Sequence, residues 1–223
     1  MEKMMGIKVK SPRLDRTMLQ SPPNLSAILL QSAQEELDLE KLLFEGLCMS
    51  SERLDRVEFH GCCLIGCKLL DCSLERTSFD DCVFEQCDLS NCQMNKASLQ
   101  RVTMNNCKML GTNLNEAYCL DVTFQDCLLR YANLNGSKMK YTSFLNCNLN
   151  SASLAGCQLK QVAFSACDLG KCELFQTELK GIDLSTSDLR GISIMGQELR
   201  GAMVNLEQAA QLGQLLAGVN IQI

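Results

Sequence analysis

The sequence predicts an all-β solenoid, in which the chain bends every five residues and winds as a square rod. From Leu54 to Leu199, every fifth residue is apolar, and most of these residues are Leu, Phe or Met. The residue two places before each of them is nearly always small or β-branched, as at Cys62 and Thr77. The other three positions of each five are mostly polar or glycine. Two side chains in five are therefore expected to point inward.

A period of five excludes the regular elements. An α-helix turns every 3.6 residues and would spread this stripe around its whole surface. A flat strand alternates its side chains with a period of two and would place residues five apart on opposite faces. A chain that turns a corner after every five residues fits the pattern. Four such sides make a coil of about 20 residues, so residues 20 apart are expected to stack.

Composition agrees with one elongated domain. The chain has 223 residues, of which 46% are hydrophobic and 21% charged. Tryptophan is absent and aromatic residues make up 5%, which suits a core that admits one Leu or Phe per side. The formal net charge of −5 argues against direct, general binding of nucleic acid.

The sequence carries no recognisable targeting signal. No apolar run reaches 18 residues, so we expect no membrane segment, and the first 16 residues lack the apolar core of a signal peptide. Fifteen cysteines without an export signal indicate a reducing environment, and we expect a cytoplasmic protein.

The N-terminal quarter is expected to cover the first coil. Residues 1–23 are predicted as an extended or loosely ordered arm, and residues 24–53 as a cap and lead-in. Asn24 could cap a short helix up to about residue 34. The five-residue pattern begins imperfectly at Leu37, and residues 37–53 fit either a distorted coil or a helical lead-in. Because Glu52 takes an inward slot, the strict repeat is expected to begin after it.

Residues 54–203 are predicted to form the β-helix without an insertion. One column of stacked residues contains Phe84, Phe124, Phe144 and Phe164, which indicates an aromatic-rich spine. Another is a ladder of six cysteines: Cys67, Cys87, Cys107, Cys127, Cys147 and Cys167.

The cysteine ladder admits two interpretations. Metal or redox chemistry is one, but parallel Cβ vectors make poor disulfides and a ladder offers no tetrahedral set of four thiolates. Buried cysteine behaves as a small hydrophobe, so we predict that the ladder fills the core. Cys63 lies at an outward slot, and its thiol is expected to be reactive. His60, the one histidine, is expected to be solvated, and we predict no catalytic residue, no cofactor and no metal site.

Charge along the rod suggests two binding surfaces. An acidic set is predicted to form a partner-binding surface, while one outward column is basic. The acidic set is Asp71, Glu75, Asp80, Asp81, Glu85 and Asp88. The basic column is Lys140, Lys160, Lys180 and Arg200. That column is either a solvated face, neutralised by Glu178 and Glu198, or a docking strip for an acidic partner.

Residues 204–223 are predicted to form a helix and a short strand. Asn205 and Gln208 have the spacing of a capping box, Gly218 suits the helix end, and Val219, Ile221 and Ile223 alternate as in a strand. The helix is more apolar than a cap requires, so we expect it to pair two chains in a homodimer. The predicted interface residues are Leu206, Ala209, Ala210, Leu212, Leu215 and Leu216.

The repeated units "CDLSN", "ANLNG" and "CNLNS" resemble the pentapeptide repeat family. The resemblance covers about two thirds of the chain and implies a right-handed quadrilateral β-helix. The "PPNL" lead-in and the tail "LRGAMVNLEQAAQLGQLLAGV" are most similar to the quinolone-resistance (Qnr-type) branch.

That branch implies a function that periodicity does not. Its members are dimeric rods joined at their C-termini, and they bind DNA gyrase or topoisomerase IV by imitating duplex DNA. This chain departs from the branch because its unbroken register leaves no room for projecting loops and its charge is only mildly acidic. Two hypotheses follow. One is a DNA-mimicking protein that binds a topoisomerase, and the other is a structural rod that docks another protein.

Overall fold

Left-handed corners divide the chain into sides of five residues. In this computed structural model, which describes residues 7–220, the backbone φ angle is positive at nearly every fifth residue from Lys41 to Gly201. Some corners are glycines, such as Gly66, but many are not, such as Arg56 and Ala166. A left-handed residue reverses the local direction of the backbone, so the chain turns at each corner.

Corner strain gives a first prediction. Ala166 is exposed with φ +52°, and this conformation costs an L-residue roughly 1–2 kcal/mol. Ala166→Gly should therefore raise the free energy of unfolding by about 0.5–1 kcal/mol, after the entropy that glycine loses on folding. The control is Ala155→Gly, because Ala155 is not a left-handed corner and the same change should lower that free energy by about 0.5–1 kcal/mol. Chemical denaturation measures both. Equal effects of the two substitutions would contradict the strain argument.

Short parallel strands fill the sides between the corners. Each strand pairs with the residues 20 positions further along, as Leu39 pairs with Phe59 and Phe124 with Phe144. The strands are β1 (Leu39–Glu40), β2 (Leu43–Glu45), β3 (Cys48–Ser50), β4 (Glu58–His60), β5 (Cys63–Ile65), β6 (Lys68–Leu70), β7 (Ser78–Asp80), β8 (Val83–Glu85), β9 (Ser98–Asn105), β10 (Tyr118–Gln125), β11 (Lys138–Leu145) and β12 (Gln158–Ser165). Isolated parallel bridges continue the same register to Asp183 opposite Met203.

The rod has four sides, named here by their central inward residues. Side 1 is centred on Leu39 and every twentieth residue after it, side 2 on Phe44, side 3 on Met49 and side 4 on Leu54. Nearly all of these central residues are buried, and Leu159, Ile194 and Leu199 are half-buried. The sheet order β1-β4-β7-β9-β10-β11-β12 follows side 1, and β2-β5-β8-β9 follows side 2. The predicted fold class, a right-handed quadrilateral β-helix, is confirmed.

The core contains the predicted aromatic spine and the cysteine ladder. Phe124, Phe144 and Phe164 stack nearly parallel, with ring centroids 4.8 and 5.0 Å apart. All six ladder cysteines are buried and unbonded. Most of them donate a hydrogen bond to the carbonyl 23 residues earlier, as the Cys147 Sγ does to the Phe124 oxygen at 3.3 Å. The ladder therefore satisfies core backbone groups as well as filling space.

The regular coils of the β-helix begin earlier in the chain than predicted. Strands β1, β2 and β3 lie in residues 37–53 and pair with β4, β5 and β6, so this segment is a coil and not a helical lead-in. The expectation that the strict repeat begins after Glu52 is wrong. Glu52 is only half-buried, because no coil stacks below the first one, and its carboxylate side chain reaches the opening next to the N-terminal helix.

The N-terminal helix α1 (Leu25–Glu35) packs over the first coil through buried Leu29. It begins where the prolines end, as the sequence indicates, but Asn24 does not cap it. Asn24 has a left-handed backbone, with φ 70°, and its side chain makes no capping hydrogen bond. In that conformation the residue turns the chain into the helix, a role that asparagine tolerates.

The repeat is interrupted once near its C-terminal end, which the sequence pattern does not predict. A 3₁₀ turn over Gln197–Leu199 buries Glu198 and leaves Leu199 half-buried. The Glu198 carboxylate accepts hydrogen bonds from the backbone N–H groups of Gln176 and Met195, at 3.1 and 3.0 Å. Because these N–H groups satisfy the carboxylate, the 3₁₀ turn can bury Glu198, whose 20-residue column is otherwise polar and outward.

The C-terminal helix α2 (Leu206–Ala217) has the predicted capping box, with Asn205 and Gln208 bonded in both directions, and it ends at left-handed Gly218. Val219 lies outside any strand, and Ile221 and Ile223 lie outside the described residues. Neither α1, α2 nor any other helix in residues 7–220 has the length and hydropathy needed to span a membrane.

Candidate functional surfaces

The acidic residues singled out from the sequence encircle the rod. Residues 71–88 fall within one coil, and its corners place the carboxylates on all four sides. Five of the six also have partners. Asp71 accepts from Asn91, Asp80 and Asp81 bind Arg101, Glu85 binds Arg16, and Asp88 lies 3.1 Å from the Lys108 Nζ. The structure thus does not bring this set together as one surface.

The ion pair at Asp81 shows how far these charges are compensated. Burial raises the pKa of the Asp81 carboxyl, but the Arg101 guanidinium at 2.6 Å and the Arg13 backbone N–H at 2.8 Å together outweigh burial and hold the pKa below its usual value. The carboxylate therefore stays ionised, and Arg101 neutralises much of its field.

A denser acidic surface lies on side 1, and the sequence reading missed it. The acidic stack, as we name it, is Asp38, Glu40, Glu58, Asp80 and Asp81 on the first three coils. Strand pairing puts Glu40 opposite His60 and His60 opposite Asp80. The sequence contains this signal. Residues 40, 60 and 80 belong to the same 20-residue column as the basic column, and residues 38 and 58 belong to the column two places before it.

His60 lies inside the acidic stack. Its imidazole is 3.4 Å from the Glu58 carboxylate and 3.9 Å from that of Asp80. Asp38, Glu58 and His60 form the one group within residues 7–220 whose potential ligand atoms all lie within 4.8 Å of one another. A structural zinc site is closed by four ligands, and three surface groups do not provide that arrangement.

The basic column occupies the other half of side 1. Lys140 pairs in register with Lys160, and Lys180 lies next to Gly201 of the following coil. Arg200 follows the 3₁₀ turn, so the strand pairing does not extend to it. The sequence reading omitted Lys138, which belongs to the same surface. Side 1 is therefore acidic at its N-terminal end and basic over its C-terminal half.

The basic column is not paired with carboxylates among the described residues. No salt bridge joins Lys140, Lys160, Lys180 or Arg200 to a carboxylate in residues 7–220. The expected neutralisation by Glu198 is wrong, because that carboxylate is buried and bonded to backbone N–H groups. The Lys140 ammonium instead lies over the Tyr141 ring, 5.2 Å from its centroid.

The predicted interface residues on α2 divide between two roles. Leu212 packs against the core and Ala210 is half-buried, so these two help to close the rod. Leu206, Ala209, Leu215 and Leu216 are exposed, and Leu206 has 88% of its surface in solvent. Met195 and Met203, which the sequence reading did not include, are also exposed at this end. The end of the rod thus presents a substantial apolar surface.

Cys63 is not the exposed thiol that its outward slot predicts. It is fully buried, and burial raises the pKa of its thiol. Residues 7–20 lie along this corner of the rod, and the Arg16 guanidinium is close enough to affect the Cys63 thiol. Cys48 is the exposed thiol instead. A slot in the repeat therefore indicates direction and does not by itself determine exposure.

Thiol chemistry gives a second prediction. Burial raises the pKa of the Cys92, Cys119 and Cys172 thiols to about 12. These three thiols stay protonated at neutral pH, and all fourteen thiols other than that of Cys48 are buried. Ellman's reagent should therefore modify one thiol quickly, that of Cys48, in the native protein. Fast modification of two or more thiols would contradict the burial described here.

The same shifts predict a dependence of stability on pH. Because the folded pKa lies above the ordinary value of 9.0, the unfolded chain loses these thiol protons first. The free energy of unfolding should be unaffected by them below about pH 9 and should fall as the pH rises toward 12. Cys119→Ala removes one such group, and its decline above pH 9 should be shallower than that of the unmodified protein. Identical slopes would contradict the assignment.

The structure defines the class of protein: a β-solenoid whose interior is filled by side chains. In such a rod only the outward side chains are available to bind a partner. A family model described as "Pentapeptide repeat region" matches residues 77–154, and one described as "Pentapeptide repeats (8 copies)" matches residues 152–191. Together they cover just over half of the chain. The chain belongs to the pentapeptide repeat family.

Solved structures with a similar fold come from proteins with different described roles. A trypsin-treated variant of QnrB1, a plasmid-mediated fluoroquinolone resistance protein, is 18% identical, with 83% of this chain and 100% of that chain covered and a TM-score of 0.49. HetL from Nostoc sp. strain PCC 7120, a protein involved in heterocyst differentiation regulation, is 18% identical over 82% and 98%, also with 0.49. A thylakoid-lumen protein from Arabidopsis thaliana is 19% identical over 38% and 63%, with 0.24. No curated protein sequence matches this chain. Similarities of this size concern the fold alone.

Proposed function

We propose that this protein is a DNA-mimicking binding protein, not an enzyme, that binds a bacterial type II topoisomerase, DNA gyrase in the first instance, and protects it from fluoroquinolones. It acts in the cytoplasm as a homodimer, without binding nucleic acid or membrane itself. The likeness of its lead-in and tail to the Qnr-type branch supports this proposal, together with the charge on side 1.

The acidic stack is the observation that carries the proposal. Five carboxylates lie on three successive coils, which span about 14 Å of rod at roughly 4.8 Å per coil. Duplex DNA carries about one phosphate charge per 1.7 Å of axis, or roughly eight over that length. The stack thus offers more than half of that charge density before compensation by Arg101. A basic DNA-binding groove would meet this end of the rod favourably.

The test is a gyrase supercoiling assay with ciprofloxacin and increasing amounts of the protein. Restored supercoiling supports the proposal, and inhibition without rescue supports gyrase binding alone. Glu40→Lys with Glu58→Lys should weaken the effect at least about tenfold, since each reversal replaces an attraction by a repulsion. The matched control is Glu173→Lys with Asp183→Lys, which reverses two exposed carboxylates outside side 1. An absence of any effect on gyrase, or an equal loss in both double variants, would reject this surface.

Pairing through α2 is the second part of the proposal. Leu206, Leu215 and Leu216 expose from 45% to 88% of their surfaces, and burying each side chain contributes about 1.5–3 kcal/mol. A second copy of the chain offers the same apolar surface, which suits a two-fold interface.

Dimerisation makes a further prediction. Leu206→Asp with Leu215→Asp should raise the dimer dissociation constant by at least about 100-fold, because both leucine contacts are lost. Analytical ultracentrifugation measures the change. Leu128→Asp is the matched control, since Leu128 is 45% exposed on side 3, far from α2. A monomeric unmodified protein, or a dimer unaffected by the two aspartates, would contradict this interface.

The basic column favours a second candidate function, a scaffold that docks an acidic protein segment. Its lysines lack carboxylate partners among the described residues, so their charge is free to attract one. Lys140→Glu with Lys160→Glu should abolish binding of a synthetic polyglutamate peptide and leave gyrase activity unchanged. Equal peptide binding by this variant and the unmodified protein would reject the column as a docking strip.

A further inference from the structure

The N-terminal arm, residues 7–20, begins with a segment, residues 7–15, that runs along the corner between sides 1 and 2. A 3₁₀ turn over Arg16–Met18 follows this segment. The backbone N–H of Lys10 donates to Asp121 at 3.0 Å, and that of Arg13 donates to Asp81 at 2.8 Å. Asp81 and Asp121 are two coils apart, about 9.6 Å. Three extended residues span about 10 Å, so this part of the arm is nearly fully stretched along the rod.

Alternate apolar side chains of the arm face the rod. Ile7, Val9, Pro12 and Leu14 are half-buried, while Lys8 and Lys10 between them are exposed. A Cβ added at Gly61 would lie 3.9 Å from Leu14, so the arm packs closely against this glycine corner. Within the pairs Ile7/Val9 and Pro12/Leu14 the contact has the period of two of an extended segment, and the phase shifts by one residue between the two pairs.

The strip beneath the arm is built for such a segment. We define the arm-binding strip as Gly61, Cys63, Asp81, Val83, Glu85 and Asp121. Cys63 and Val83 take outward slots yet are buried, and Asp121 is a carboxylate with only 4% of its surface exposed. Carboxylates are rarely buried to this extent without a partner, and an arm N–H supplies one. Glu85 receives both terminal nitrogens of the Arg16 guanidinium.

These contacts require an extended backbone and a basic charge in the bound segment more than a particular residue at each position. Two of the three carboxylates are met by backbone N–H groups, which any extended residue except proline supplies. The side-chain requirements are alternate apolar residues and one arginine for Glu85. Residues 7–20 carry four cations and one carboxylate, so the arm also matches the strip in charge.

We propose that the arm-binding strip is a peptide-binding site for an extended, basic segment of a partner protein with apolar residues at alternate positions, and that the arm occupies this site in cis. The arm is a tethered ligand, and its high effective concentration excludes weak competitors. A partner that binds the strip displaces the arm and takes its place over Cys63, whereas departure of the arm alone uncovers this thiol. The site does not depend on topoisomerase binding.

Cys63 is a built-in reporter of displacement. In the full chain with Cys48→Ser, which removes the exposed thiol, modification of Cys63 by Ellman's reagent measures how often the arm leaves. Arg16→Glu places a carboxylate against Glu85 and should accelerate modification at least about fivefold. Arg190→Glu is the matched control, because Arg190 forms a similar exposed pair with Asp188 outside the strip, and it should leave the rate unchanged. Arg16→Glu with Glu85→Arg restores the pair and should restore protection.

Binding in trans completes the test. The probe is a fluorescein-labelled peptide with the sequence of residues 7–20, IKVKSPRLDRTMLQ, and anisotropy is measured at physiological salt. The peptide should bind the Arg16→Glu variant at least about tenfold more tightly than the unmodified protein, whose own arm competes. A scrambled peptide of the same composition should bind neither.

Two results would overturn the proposal. If Cys63 stays protected in the Arg16→Glu variant and also when Leu14→Asp is added, the arm is not its cover. If the scrambled peptide binds as well as the ordered one, the strip attracts charge alone and is not a site for an extended segment. Circular dichroism of each variant shows that the β-helix is intact before either result is interpreted.

Discussion

Phe144→Ala is expected to lower the free energy of unfolding by about 3–5 kcal/mol. Phe144 is fully buried and lies between Phe124 and Phe164, with centroids 4.8 and 5.0 Å away. Its removal leaves a cavity that the neighbouring coils cannot close, because ladder hydrogen bonds on both sides fix their spacing. Two aromatic contacts are lost as well, which contribute beyond their area.

Chemical denaturation followed by circular dichroism measures this change. Leu145→Ala is the matched control, since Leu145 is the next residue in the same strand but points outward and is 37% exposed. The control should change the free energy of unfolding by less than about 0.5 kcal/mol. A loss below about 1 kcal/mol for Phe144→Ala would mean that the stack is not a tightly packed core.

Gln208→Ala is expected to release α2 from the rod. The Gln208 amide donates to the Leu184 and Ser187 carbonyls at 2.8 and 2.6 Å, and it accepts the Asn205 N–H at 2.8 Å. The side chain is buried, so its removal leaves the Ser187 carbonyl without a donor and breaks half of the capping box, while the Leu184 carbonyl keeps only the Ser187 N–H. Unsatisfied buried groups cost about 1–3 kcal/mol each and a lost cap about 1 kcal/mol.

Hydrogen exchange measures this release. Amides of residues 206–217 should lose protection, while those of the rod keep theirs, because the coils do not depend on α2 for their ladder bonds. Gln214→Ala is the control, since Gln214 lies on the same helix with an exposed side chain. If α2 presents the dimer interface, Gln208→Ala should also weaken the dimer. Unchanged protection of α2 would show that its apolar contacts alone hold it in place.

The amino-acid sequence by itself determined the fold. Each side follows one local rule, a large apolar centre with a small inward neighbour. Four sides make a coil, and successive coils stack without any long-range information in the sequence. The capping box at Asn205 follows from spacing in the same way. The burial of the ladder thiols also follows from the sequence, because every inward position in an unbroken register lies in the core.

The tertiary structure alone decided what covers the surface. The acidic set in residues 71–88 is continuous in sequence but encircles one coil, whereas the acidic stack joins residues that are 20 and 40 positions apart. Cys63 is buried although its slot points outward, and the arm reaches Asp121, a residue 111 positions away from Lys10. Such contacts depend on the path of an irregular segment, for which the repeat sets no rule. The local period determines which residues are in the core. The exposure of an outward residue depends instead on which segments, distant in sequence, pack against it.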